Sequence, residues 1–284
     1  MGILLKGKPV ADNIVARVKN EAEELRRNNI IPKLKIIRVG EREDDLAYER
    51  AAVKRMKSTN IDCEILSLPL NVDKETFMDE VKNVVNDNSV HGILVFRPLP
   101  KQLNEKDIRF IISQEKDIDC LNPINAAKIL EGDESGFPPC TARAAMEIIK
   151  FYNIDINGKE AAVIGRSMVV GKPLSMMLLK ENSTVTICHS KTENLPQVAN
   201  RADILIAAIG KSGMITKDYI KEDSTVIDVG INSDDEGNIT GDVNTEDCIE
   251  KAAFITPVPA GVGSVTTAVL ADHVIKACRL LNKC

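Results

Sequence analysis

Ala161-Ala162-Val163-Ile164-Gly165-Arg166-Ser167-Met168-Val169-Val170-Gly171-Lys172-Pro173 is the stretch on which the fold turns. A short apolar run stops at a glycine, and a second glycine six residues later opens the helix-like segment Leu174–Leu179. A glycine at a strand end lets the backbone approach a ligand, and the free N–H groups at a helix start can hold a phosphate. The loop is not the usual G-x-G-x-x-G, so a plain glycine turn without a ligand is the competing reading of this local pattern.

Working outward, Glu160–Ile164, Thr184–His189, Ile204–Ala208 and Thr225–Val229 are short apolar strands separated by helical or loop segments. Ala207-Ala208-Ile209-Gly210 and Asp228-Val229-Gly230-Ile231 each put a glycine just past an apolar strand. Ligands of open parallel sheets bind there, although either glycine could also be an ordinary turn. Upstream, apolar residues recur at helical spacing over Val10–Leu25, and Lys33–Gly40 reads as a buried strand ending in a turn. A helix over Asp44–Ser58, a strand over Ile61–Leu68, a helix over Asp73–Asn86 and a strand over Val90–Phe96 follow, the last stopped by Pro98 and Pro100. This β-α-β-α-β order predicts a parallel sheet. The alternation restarts after Gly136-Phe137-Pro138-Pro139, with Ala142–Phe151 as a connecting helix and Thr266–Leu281 as a closing helix on the first domain. The expected fold is α/β: two α/β domains with a cleft between them, the second a Rossmann-type parallel sheet. The boundaries are residues 1–141 plus 266–284 for the first domain and 142–265 for the second.

Composition narrows the function. The 284 residues carry a formal net charge of −5, which offers no basic excess to neutralise nucleic-acid phosphates. With six Phe, three Tyr and no Trp, the core must be aliphatic. Seven scattered cysteines without a C-x-x-C pair point to reduced thiols, and the three histidines form no metal-ligand motif, so no metal is expected. Met1-Gly2-Ile3-Leu4-Leu5-Lys6 is too soon interrupted by charge for a signal peptide, and no apolar run reaches the ~20 residues that span a bilayer. A cytoplasmic protein without membrane or nucleic-acid partners is expected.

The strand after the glycine loop selects the cofactor. An acid roughly 20 residues past such a loop grips the ribose 2′-hydroxyl of NAD. Here Thr184–Cys188 ends in His189-Ser190-Lys191-Thr192, with no acid, and Arg166 lies in the loop facing that strand end. An arginine with a hydroxyl suits a 2′-phosphate, which a carboxylate would repel, so NADP is favoured over NAD.

Taken together, the segments resemble the methylenetetrahydrofolate dehydrogenase/methenyltetrahydrofolate cyclohydrolase family over nearly the whole chain. The resemblance runs through Tyr48, Gly92-Ile93-Leu94-Val95 with Pro98-Leu99-Pro100, Lys116-Asp117-Ile118-Asp119 and Cys140-Thr141. It continues with Gly165-Arg166-Ser167, Val170-Gly171-Lys172-Pro173, Cys188–Thr192, Asp228–Asn232, Gly241-Asp242-Val243 and Thr256–Gly263. It implies a homodimeric enzyme that oxidises 5,10-methylenetetrahydrofolate with NADP and hydrolyses the methenyl product. Tyr48 would stack on the folate and Asp119 would hydrogen-bond the pterin, both counting as catalytic-site residues. Val95, Phe96, Arg97 and the Pro259-Ala260-Gly261-Val262-Gly263 loop would line the folate site. Gly165, Arg166, Ser167, Ser190, Gly210 and Ile231 would contact NADP, with Arg166 and Ser190 on the 2′-phosphate. On the residues alone, Tyr48 reads as a partly buried helix tyrosine and Asp119 as a turn or helix-cap acid. An amino-acid or shikimate dehydrogenase, or a non-catalytic NADP-binding protein, are the alternatives.

One departure stands out. In the family a lysine follows the tyrosine by four residues, on the same helical face, and the cyclohydrolase step depends on it; here that position is Ala52. Lys54 lies about 120° round an ideal helix from Tyr48, and Arg55 returns to the same face roughly 10 Å further along. The guanidinium of Arg55 is too basic for proton transfer near neutrality. Neighbouring positions change too: Arg42-Glu43-Asp44-Asp45 replaces Asp-Pro-Ala-Ser, and Val95-Phe96-Arg97-Pro98 replaces Val-Gln-Leu-Pro. Cys120 and Ala260 stand where the family has glycines, and Ala142 and Ser264 where it has prolines. The dehydrogenase is expected to persist with cyclohydrolase activity weak or absent.

Overall fold

The computed structural model describes residues 2–233 and 237–284. The first half of the chain contains β1 (Ile3–Leu4), α1 (Gly7–Arg27), β2 (Lys33–Val39), α2 (Glu43–Ser58), β3 (Asp62–Leu68), α3 (Lys74–Asn86), β4 (Gly92–Val95), α4 (Glu105–Ile108), α5 (Pro123–Glu131) and α6 (Cys140–Phe151). The second contains β5 (Glu160–Ile164), α7 (Gly171–Lys180), β6 (Thr184–Cys188), α8 (Leu195–Ala199), β7 (Ile204–Ala207), β8 (Thr225–Asp228), β9 (Asn232–Ser233), β10 (Ile239–Thr240), α9 (Thr245–Cys248), β11 (Phe254–Ile255) and α10 (Gly263–Asn282). The chain divides into two compact α/β units. The first comprises Asn13–Pro138 and Thr267–Cys284, the second the chain up to Asp12 together with Pro139–Thr266.

In the first unit β2 is the central strand of a parallel sheet ordered β3-β2-β4. Side chains alternate across a strand, so Ile37 and Val39 enter a core with Phe77, Val81, Val84, Val95 and Ile108. Leu34, Ile36 and Arg38 therefore point to the opposite face. The free edge of β4 is covered: Ile93 N donates to Lys116 O at 2.7 Å in a parallel bridge to the 117 turn. Helix α3 starts one residue after Asp73, whose side chain accepts from Thr76 N at 2.9 Å as its N-cap.

The second unit is built on a fully parallel sheet ordered β1-β11-β8-β7-β5-β6. Strands β7 and β8 are buried along their whole length, which is why they read as unbroken apolar runs. Edge strand β6 mixes exposed and buried residues. From β5 the chain moves outward to β6, then crosses back over β5 to lay down β7. The strand order thus reverses between β5 and β7, the point where such sheets bind ligands.

The unit boundaries differ from the expected 141/142 division at the N-terminus. The described residues up to Asp12 belong to the second unit because β1 extends its sheet, Ile3 pairing with Phe254 and Leu4 with Ile255. Two residues carry no periodicity, so this pairing left no trace in the sequence. Helix α5 was also unforeseen, although Asn122 caps it, Pro123 opens it and Gly132 closes it at φ 73°. Among the described residues no helix is long and apolar enough to cross a membrane.

Candidate functional site

In the second unit the glycine loop lies at the strand-order reversal. Gly165 adopts φ +134° beside the loop that follows β7, and a Cβ there would run into the Ala208 carbonyl, so only glycine fits. Gly165 N donates to Cys188 O at 2.9 Å, and Ala208 N to Ile164 O at 2.9 Å, which draws three strand ends together. Ser167 Oγ accepts from Val170 N at 3.0 Å and shapes the approach to α7, while Arg166 and Ser167 are exposed. Ile164 and Cys188 are register partners, so Arg166 and Ser190 each lie two residues past paired strand ends. The 189–192 turn is closed by Thr192 Oγ1, which accepts from His189 N at 2.9 Å, and it leaves Ser190 exposed. Gly210, at φ +72°, and Ile231 are likewise exposed past β7 and β8. All six residues expected at the cofactor therefore sit on carboxyl-end loops of one sheet.

In the first unit Tyr48 is half-buried on α2, and its ring meets Phe96 edge to face at a centroid distance of 5.9 Å. Phe96 and Arg97 extend from the carboxyl end of β4. The Arg97 guanidinium donates to Asp119 Oδ2 at 3.2 Å, and its other nitrogen lies 4.0 Å from Glu105. Tyr48, Phe96, Arg97 and Asp119 thus occur as two contacting pairs. Val95 belongs to the hydrophobic core.

The turn that carries Asp119 is built around an acid not singled out by itself in the sequence. Asp117 is 2% exposed and accepts from Leu121 N at 2.9 Å, Asn122 N at 2.8 Å and Asn125 Nδ2 at 2.8 Å. Burial pushes its carboxyl above the ordinary value, against the pull of these donors. Lys116 turns the other way and donates to the Val85 and Asp87 carbonyls, each at 2.7 Å, capping the end of α3. The Lys-Asp-Ile-Asp run is therefore largely scaffold. Cys120 follows in the left-handed region at φ +60°, and burial, with the nearby Asp117 and Asp119 carboxylates, pushes its thiol up to about 12.

Ala52 is fully buried one turn beyond Tyr48. Lys54 is exposed, and Arg55 Nε donates to Thr267 Oγ1 at 3.3 Å. A further pair unread in the sequence lies beside Tyr48: Arg38 Nε donates to Glu49 Oε2 at 2.7 Å, with both side chains largely buried. Arg38 also donates to the Gly40 carbonyl, so it joins the carboxyl end of β2 to α2.

In the 259–263 loop of the second unit, Pro259, Ala260 and Gly263 are exposed, whereas Gly261 and Val262 are buried. Ala260 takes φ +79°, the conformation a glycine would adopt without strain, and Gly7 N donates to its carbonyl at 2.8 Å.

Comparison with known proteins accounts for both units. Residues 5–119 match the tetrahydrofolate dehydrogenase/cyclohydrolase catalytic domain and residues 139–282 the NAD(P)-binding domain of the same family. The bifunctional protein FolD of Alkaliphilus oremlandii is 58% identical over 280 residues, covering 99% of this chain and 98% of that protein. The crystal structure of the bifunctional FolD methylenetetrahydrofolate dehydrogenase/cyclohydrolase from Campylobacter jejuni matches at TM-score 0.97 and 36% identity, covering 100% of both chains. The Trypanosoma brucei methylenetetrahydrofolate dehydrogenase-cyclohydrolase, solved with NADP and an inhibitor, matches at TM-score 0.94 and 31% identity over 100% of this chain and 99% of that one. With both domains matched and the fold shared from end to end, the chain belongs to the tetrahydrofolate dehydrogenase/cyclohydrolase family.

Proposed function

We propose that this protein oxidises 5,10-methylenetetrahydrofolate to the 5,10-methenyl form with NADP, and that its cyclohydrolase activity is weak or absent. The observation that carries this is a contrast: the glycine loop is intact at the strand-order reversal, while Ala52 is buried where a proton-transferring side chain is required. The relatives bear the name bifunctional, and it is in the second activity that this chain's residues depart from the family pattern.

The loops fit the cofactor. Arg166 and Ser190, past paired strand ends, offer a cation and a hydroxyl to a 2′-phosphate, with no acid on the 189–192 turn. The N-terminal N–H groups of α7 suit a pyrophosphate, and the space beside Gly210 is open. NADP, when bound, accepts the hydride. Positive charge left on the substrate carbon is shared by its two flanking nitrogens, so the oxidation needs little acid-base help and mainly needs positioning. Tyr48, braced by Phe96, offers a ring face or edge, and Asp119 offers a carboxylate oriented by Arg97. Exposed Pro259, Ala260 and Gly263 supply the loop contacts.

Hydrolysis of the methenyl bridge is different, because attacking water must lose protons near neutral pH. Arg97 is held by Asp119, Arg55 meets Thr267, Lys54 faces solvent and Lys116 is engaged with the end of α3. Ala52 has nothing to donate. The family match leaves an amino-acid or shikimate dehydrogenase unfavoured. A cytoplasmic homodimer belongs to the same proposal, and light scattering checks the dimer.

The test is a paired assay of purified protein. NADP reduction on adding methylenetetrahydrofolate, exceeding NAD reduction and weakened by Arg166→Ala, is expected. Loss of methenyl absorbance should not exceed the buffer rate. Robust hydrolysis would overturn the second half, and no NADP reduction the first.

A further inference from the structure

Two buried carboxylates beneath the loops of the second unit have no role in the chemistry above. Asp242 is fully buried, and its side chain gathers the loop after β7. Oδ2 accepts from Ile209 N at 2.6 Å and Gly210 N at 3.1 Å, and Oδ1 from Lys211 N at 2.7 Å. A fourth donor, Asn232 Nδ2, reaches Oδ1 at 3.0 Å from the residue after Ile231. Three successive backbone N–H groups turned onto one carboxylate form an anion nest, here occupied by the protein's own acid.

Asp228, the last residue of β8, gathers backbone donors in the same way. It is 1% exposed, and it accepts from Gly230 N at 2.9 Å, Asp242 N at 3.1 Å and Val243 N at 2.9 Å. Its own N–H donates to Thr256 Oγ1 at 2.7 Å, at the root of the segment leading to Pro259. Space around the two acids is closed. A Cβ on Gly230 would collide with the Asp242 carboxyl, and one on Gly241 with that of Asp228. Both glycines of the Asp-Val-Gly-Ile and Gly-Asp-Val runs are therefore required by the acids they pack against.

We infer that Asp242, itself seated by Asp228, is a positioning residue that sets the backbone of Gly210 and Ile231 for NADP. This rests on the assignment of those two residues to the cofactor. Both acids are buried and are bonded to the backbone of the loops, so they act through the loops and not by contact. An amide at 242 has one accepting oxygen and a donor NH2 in place of the second. Whichever way it turns, it confronts at least one of the Ile209, Gly210 and Lys211 N–H groups with another donor. The loop must then shift to relieve the unsatisfied group.

The experiment is titration calorimetry of NADP binding without folate, on the full chain, for wild type, Asp242→Asn and Asn232→Ala. Asp242→Asn should weaken NADP binding at least tenfold and speed amide hydrogen exchange at 209–211. In steady state it should raise the KM for NADP while leaving kcat at saturating NADP within about threefold, because the reacting groups are untouched. Asn232→Ala removes one donor of four at a half-buried position, keeps the fold if Asp242→Asn does not, and should weaken binding about threefold. Unchanged NADP binding and exchange in Asp242→Asn would overturn the inference. If that variant does not fold, unchanged binding in Asn232→Ala would do so. Failure of the wild type to bind NADP would instead overturn the cofactor assignment on which the inference rests.

Discussion

Replacing Ala52 by lysine tests the proposed loss of the second activity most directly. Ala52 lies four residues after Tyr48, about 6 Å along α2 and on nearly the same face. Its side chain is fully buried, so lysine must push into an occupied space on its way past Tyr48. Over-packing of this kind costs about 1–3 kcal/mol. At ~2–4 °C per kcal/mol for a protein of comparable size, Tm should fall by roughly 2–12 °C. The same burial disfavours the ammonium and lowers the lysine's pKa toward neutrality, where proton transfer is useful. General acid-base assistance contributes about 10²–10⁴-fold to a rate. Ala52→Lys should therefore bring methenyltetrahydrofolate hydrolysis about 10²-fold or more above that of the parent. The assay is loss of methenyl absorbance against a buffer blank, with differential scanning calorimetry for stability. Ala52→Met serves as the control for bulk, expected to destabilise without hydrolysing. Equal hydrolysis by the lysine and methionine variants would refute the assignment of position 52.

Other expectations concern stability. Ala260→Gly relieves a left-handed alanine, a conformation costing about 1–2 kcal/mol, against the ~0.4–1 kcal/mol by which glycine loosens the unfolded chain. A gain of about 0.5–1 kcal/mol in urea unfolding is the expected outcome; Cys120→Gly should gain less, since it also gives up a mostly buried side chain. Glu49→Ala strands the buried Arg38 guanidinium and should cost about 3 kcal/mol, whereas the double variant Arg38→Met/Glu49→Leu should recover most of it. A double variant no more stable than Glu49→Ala would count against the buried pair. His91 is buried, and burial, reinforced by Lys116 and Lys33, holds its pKa below 6.5. The unfolded chain then binds that proton first, so this contribution to stability is intact above about pH 6.5 and declines as pH falls toward the folded value. His91→Gln should flatten that part of the pH profile, and an unchanged slope would contradict the assignment.

Much of the candidate site was legible because its signals are local. The carboxyl-end loops follow apolar runs, and parallel strands buried on both faces are written as such runs. The missing acid after β6 and the alanine four residues past Tyr48 are matters of spacing. Elements of two residues, β1 and β11 among them, have no pattern to read. Helix α5 carried Asn122, Pro123 and Gly132 as cap signals and could have been found.

By itself, the sequence determined the parallel α/β architecture, the glycine loop, the preference for a 2′-phosphate and the substitution at Ala52, since each depends on residue type and short spacing. Only the tertiary structure decided that Arg97 meets Asp119, that Arg38 pairs with Glu49 beside Tyr48, and that Asp242 gathers donors up to 33 residues away. The left-handed backbone at Cys120 and Ala260 came from the same source. The physical reason is that a buried charge takes its partners from whatever backbone the fold brings within reach, and no periodicity in the chain encodes that meeting.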